Sequence, residues 1–160
     1  MKRHFLYFLF LLAAFNINAQ SFPCTNISIS NGLPSNSIRC LFKDSRGLLW
    51  IGTDGGLCSF DGLNFVVFNE TNGLKHNQVW SIAEDKNHNL WISLYGAGVA
   101  KYDGKQFSYF NESDGLLSNS VRKIVYSTEN ECLILATETG LCLYDGRHFK
   151  SFTRNDSKFK

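Results

Sequence analysis

The sequence predicts an all-β fold of three consecutive four-stranded antiparallel units, and three observations carry that prediction. The chain repeats itself: Gly32, Gly73 and Gly115, each followed by Leu, stand 41 and 42 residues apart. Asp61-Gly62, Asp103-Gly104 and Asp145-Gly146 recur at a period of 42. Short apolar, β-branched runs alternate with Asp- and Gly-rich breaks, no stretch keeps a 3.6-residue apolar period, and Pro occurs only at Pro23 and Pro34. Self-similarity at this period marks a repeat architecture, and strands punctuated this closely mark a β fold.

Residues 1–19 stand apart from that fold. Lys2, Arg3 and His4 precede an apolar run from Phe5 to Phe15, and Asn16 to Ala19 form a polar exit ending in a small residue. The run is too short to cross a bilayer, so the expectation is a signal peptide cleaved near Ala19 and a periplasmic or secreted mature chain. Without Lys2 and Arg3 the formal charge falls from +2 to zero. No basic stripe remains, which argues against nucleic acid as a partner. No later apolar run reaches membrane-spanning length, so the mature segment is expected to make no membrane contact itself.

Each unit reads as four strands. In residues 31–71 these run from Ser37 to Lys43, Leu48 to Thr53, Leu57 to Phe60 and Phe65 to Phe68. Asp44 to Gly47, Asp54 to Gly56 and Asp61-Gly62 supply the turns, where Gly takes positive φ freely and Asp tolerates it. Residues 72–113 and 114–155 repeat the pattern, with 156–160 a tail. Trp50 and Trp91 share one position, which Leu133 takes in the third copy. Ile38, Leu41, Trp50, Ile51, Leu57 and their counterparts are the expected core. Four strands per repeat of about 40–45 residues make the blade of a β-propeller.

The motifs Gly32-Leu33-x-x-Asn36-x-Ile38, Leu49-Trp50-Ile51-Gly52-Thr53, Gly56-Leu57 and Phe60-Asp61-Gly62-x-x-Phe65 resemble the two-component regulator propeller repeat. The second copy departs from it at Ser93-Leu94 and Asn87-His88-Asn89, the third at Glu129-Asn130-Glu131. The resemblance implies the extracytoplasmic sensor region of bacterial histidine kinases and hybrid two-component proteins, followed in such proteins by kinase modules that this chain's motifs do not include. Phe22 to Ser30 align by spacing with Phe65 to Thr71, so residues 20–30 are expected to be an outer, ring-closing strand. Three blades fall short of the roughly four to eight that close a ring. The sequence therefore reads as the opening portion of a longer propeller, with assembly of several copies as the rival.

Little in the sequence suggests chemistry. The five cysteines show no C-x-x-C spacing, and Cys58 and Cys142, at equivalent positions, read as small packed strand residues. His76, His88 and His148 fall at three different repeat positions, so no metal or other cofactor is expected. Asp61, Asp103 and Asp145 recur at one hairpin, which suits turn chemistry better than catalysis. Two functions follow. One is a non-catalytic ligand-sensing or interaction module of a two-component regulator, its ligand an oligosaccharide; the alternative is an extracytoplasmic enzyme acting on glycans as hydrolase or lyase. The loops entering the first strand and joining the second to the third share a face and vary between units. On that face Arg39 and Arg122 occupy the repeat position of Trp80, with His76 and Tyr95 near it. These five are the candidate ligand-binding residues, since an aromatic ring beside cations suits a sugar. The other expected partners are remaining blades or further copies of the chain.

Overall fold

The computed structural model describes residues 26–153. The expected signal peptide and the tail lie outside them. Three antiparallel sheets follow one another along the chain, each ordered as it is threaded. Blade 1 holds β1 (Ile38–Lys43), β2 (Leu49–Thr53), β3 (Leu57–Phe60) and β4 (Phe65–Phe68). Blade 2 holds β5 (Val79–Glu84), β6 (Leu90–Leu94), β7 (Gly98–Tyr102) and β8 (Phe107–Phe110). Blade 3 holds β9 (Val121–Ser127), β10 (Cys132–Thr137), β11 (Leu141–Tyr144) and β12 (Phe149–Phe152). Helix among the described residues is confined to two single 3-10 turns, Ile29–Asn31 and Glu112–Asp114. The fold is the all-β, blade-built one that the repeats predict.

The blades stack by their first strands: β5 lies against β1 and β2, and β9 against β5 and β6. Each interface is apolar. Trp50 and Leu57 of blade 1 meet Val79, Ile82 and Ile92 of blade 2 in one cluster. Trp91 and Val99 meet Val121, Ile124 and Leu135 in the next. Each fully buried aliphatic chain contributes about 1.5–3 kcal/mol. An aromatic contact recurs across both junctions, Trp50 to Tyr102 at 5.9 Å and Trp91 to Tyr144 at 5.3 Å between ring centroids.

One device holds the first turn of blades 1 and 2. Asp44 accepts from the Arg46 and Leu48 amides at 3.0 and 2.9 Å, and from Trp50 Nε1 at 2.9 Å. Asp85 does the same for Asn87, Asn89 and Trp91 at 2.9, 3.0 and 2.9 Å. Burial pushes both carboxyls up, yet these donors outweigh it and hold them below the usual carboxylate range. The turn then needs one left-handed residue, supplied by Gly47 at φ 91° and by His88 at φ 62°.

Four expectations are corrected. Ile38 and Leu41 are 42% and 64% exposed, whereas Val79, Ile82, Val121 and Ile124 are 5% or less. These residues face the preceding blade, and none precedes blade 1 among the described residues. Secondly, the position of Trp50 and Trp91 passes to Ile134, not Leu133. Phe42 pairs with Trp50 and Ala83 with Trp91, and the counterpart Val125 pairs with Ile134. The turn after β9 is one residue longer, and the loop after β10 gives that residue back. Thirdly, only the Gly of each Asp-Gly hairpin has positive φ. Asp61, Asp103 and Asp145 act instead as acceptors, each for the amides two and three residues ahead at 2.7–2.9 Å. Lastly, of the strand expected over 20–30, residues 20–25 lie outside the described residues, while 26–28 have no regular structure and Ile29–Asn31 form a 3-10 turn. That turn is the counterpart of Glu112–Asp114, the link between blades, so only Asn26 and Ile27 of the described part correspond to strand.

Candidate functional site

The varied face of the blades is built on a bulge repeated three times. The ladder between first and second strands skips one residue in each blade: Arg39 in β1, Trp80 in β5 and Arg122 in β9. A bulge frees its extra residue from the alternation of the strand and re-aims its side chain. Because β1, β5 and β9 lie side by side, the three re-aimed side chains form a row. The guanidinium carbon of Arg122 lies 4.2 Å from the centre of the Trp80 ring, and that of Arg39 lies 5.8 Å from it.

Each bulge residue reaches the first residue of the loop between its second and third strands. Arg39 holds Asp54 through Nε and Nη2 at 2.7 and 2.8 Å. Trp80 stacks on Tyr95, with ring centroids 4.6 Å apart and planes 8° from parallel. Arg122 pairs with Glu138 through Nη2. A backbone bond places each loop residue: the Asp54, Tyr95 and Glu138 amides donate to the Ser37, Gln78 and Ser120 carbonyls at 3.0–3.1 Å. Arg122 also lies 5.6 Å from the Tyr95 ring. The result is an aromatic stack in blade 2 between an ion pair in blade 1 and another in blade 3.

The electrostatics are close to balanced. The hydrogen bond from Arg39 holds the Asp54 carboxyl below its usual range, and Asp54 in turn raises Arg39. Both arginines are exposed and the two rings half-buried, so the row is open to solvent. Trp80 Nε1 is buried and has no hydrogen-bond partner among the described residues. Such a surface can stack an apolar ring face and hydrogen-bond to hydroxyl or acidic groups from guanidiniums already positioned.

Four of the five residues singled out in the sequence therefore come together. His76 does not join them. Its Nδ1 accepts the Gln78 amide at 3.2 Å, the job Ser35 and Ser118 do for Ser37 and Ser120 at 3.1 and 3.2 Å. Sequence reasoning missed Glu138 and the role of Asp54. Their signal was present, since both stand at the repeat position of Tyr95. Among the described residues, no group of three His, Cys, Asp or Glu is placed to hold a metal ion. Burial pushes the free thiols of Cys40 and Cys58 up to about 11, so both are packing groups rather than nucleophiles. No helix among the described residues is long and apolar enough to cross a membrane.

Residues 32–55 and 73–96 each match the two component regulator propeller family. Histidine kinase P4 of Formosa agariphila is 33% identical over 43% of this chain and 6% of its own length. Among solved structures, the extracellular domain of the hybrid two component system BT3049 from B. thetaiotaomicron is 27% identical. It covers 88% of this chain and 20% of that one, with a TM-score of 0.71. The extracellular domain of the one component system BT4673 from the same organism shares the fold at 23% identity, over 75% of this chain and 19% of that one, with a TM-score of 0.66. The chain thus spans about a fifth of those domains and a far smaller share of the kinase. Two of its segments match two component regulator propeller repeats, and its blades are of the kind found in the extracellular domain of the BT3049 system.

Proposed function

We propose that this chain supplies part of an extracytoplasmic sensing propeller of a two-component regulator, and that its ligand is an oligosaccharide met by the Trp80–Tyr95 row. The similarity to the BT3049 extracellular domain supports the sensing role. A single observation supports the site: one stacked aromatic pair, Trp80 at its bulge and Tyr95 in the facing loop, beside two guanidiniums. A sugar ring offers an apolar face to the half-buried aromatic pair and hydroxyls to Arg39 and Arg122. The carboxylates here, Asp54 and Glu138, are engaged in ion pairs, and in this reading the chain contributes recognition and no bond chemistry. Substituting Trp80→Ala and titrating the chain with neutral and acidic oligosaccharides tests the proposal. Binding lost on an unchanged circular dichroism spectrum supports it. Binding unchanged in Trp80→Ala, with lowered thermal stability, reduces the pair to packing.

A further inference from the structure

The two blade junctions are built from the same repeat positions, and the junction of blades 2 and 3 holds an unfilled cleft at its turn end. A cavity of about 150 Å³ lies between blades 2 and 3, well beyond the roughly 10–15 Å³ that one water requires. Its walls include Asp85, Trp91, Tyr126, Glu131, Tyr144 and Asp145. At the junction of blades 1 and 2 the corresponding place is occupied from within. The guanidinium of Arg46 sets Nη2 3.3 Å from Asp44 Oδ2, and its Nη1 lies 3.8 Å from where a side chain on Gly104 would begin. Asp44 and Gly104 correspond to Asp85 and Gly146, both of which line the cavity. Arg46 corresponds to Asn87, whose short amide leaves that space open.

We propose that the cavity between blades 2 and 3 binds a guanidinium group, which takes the place Arg46 fills at the other junction. The charge fits. Three carboxylates, Asp85, Glu131 and Asp145, line the cavity against one cation, Lys86, and Lys86 is already paired with Glu131 at 2.5 Å. The shape fits as well, since a planar guanidinium can lie against Tyr126 or Tyr144 while donating to carboxylate and carbonyl oxygens. Arg46 shows that the Asp and Gly of this arrangement accept such a group at the other junction. The site lies at the opposite end of the blades from the Trp80 row and is independent of it. Its guanidinium comes either from a free arginine-like solute or from an arginine on a protein surface.

The test titrates the chain with N-acetyl-L-arginine methylamide, free L-arginine and N-acetyl-L-lysine methylamide, following the Trp91 indole N–H by NMR. Saturable binding of an arginine probe is expected, with a weaker response to lysine. Tighter binding of the capped form assigns a protein arginine; tighter binding of the free amino acid assigns a solute. Asn87→Arg fills the cavity and should weaken the probe by about tenfold or more, the worth of a charge-assisted hydrogen bond. Arg46→Asn should open a second site and double the probe bound at saturation. No saturable arginine binding overturns the proposal. So does an equal response to lysine, or undiminished affinity in a folded Asn87→Arg chain.

Discussion

The two ends of each blade repeat in different ways. At the Asp-Gly hairpin of the turn end a position and its chemistry recur together in all three blades: Asp61, Asp103 and Asp145 each tie down the same hairpin with the same pair of amides. At the loop end only the positions recur. Bulge and loop residue meet in all three blades, but as Arg39–Asp54, then Trp80–Tyr95, then Arg122–Glu138. The backbone needs the turn chemistry to reverse direction, so that chemistry is fixed by folding. The bulge has already satisfied the backbone, leaving its side chain free to vary. A blade is thus rigid at one end and a carrier of replaceable pairs at the other.

The largest expected effect breaks the fixed end. Trp50 and Trp91 are 2% and 3% exposed, lie within the two junctions and donate to a buried or half-buried carboxylate. Trp50→Ala or Trp91→Ala should each cost about 3–5 kcal/mol, measured by denaturant unfolding. A loss under about 1 kcal/mol would mean that the blades are not held by these rings. Next in size, Asp85→Ala leaves the Trp91 indole N–H without its acceptor and frees two turn amides. A cost of about 1–3 kcal/mol is expected, and combining it with Trp91→Ala should add little because the two act as one unit.

Blade 3 shows what that unit requires, and why part of it was hidden in the sequence. Ser127 stands where Asp44 and Asp85 stand, and Ile134 stands where the tryptophans do, so acceptor and donor are lost together. A gapless comparison of repeats puts Leu133 at that place. One residue gained after β9 and one lost after β10 cancel within a single repeat, so the Asp-Gly period of 42 passes over the shift. The strands, the hairpins and the blade architecture were legible, because each depends on local turn chemistry and a two-residue alternation. The exposure of Ile38 and Leu41 was not, because it depends on which blade lies alongside rather than on the strand itself. At the loop end, Arg39, Trp80 and Arg122 could be aligned by counting. That each is a bulge with a partner across the sheet follows only from the ladder.

Acidification sharpens the comparison more gently. Hydrogen bonds from backbone amides hold Asp61, Asp103 and Asp145 below the usual carboxylate range. A carboxylate depressed in the folded state adds stability that is present above its unfolded value, about 3.9, and disappears as pH falls through the lower folded value. Thermal stability is therefore expected to be flat from neutrality to about pH 5 and to fall below about pH 4. Asp103→Asn should make that fall shallower. An unfolding temperature unchanged between those limits would show that the turns do not depend on ionised acceptors.

The smallest net effect is expected where the loop end is rewritten. Changing Trp80→Arg together with Tyr95→Asp gives blade 2 the pair that blade 1 already holds. The bulge and the Tyr95 amide bond to the Gln78 carbonyl are backbone features, so both should survive the exchange. Trp80→Arg alone would put a third guanidinium beside Arg39 and Arg122 with no new carboxylate, and Tyr95→Asp alone would strip the stack while adding an unpaired charge. Each single change should therefore cost more than the two together, with a coupling of about 0.5–3 kcal/mol in a double-mutant cycle. The double variant itself should lie within about 1 kcal/mol of the parent, since an exposed ion pair contributes little either way. Additive single costs would show that bulge and loop residues are not a pair, and the difference between the two ends of the blade would then be one of degree.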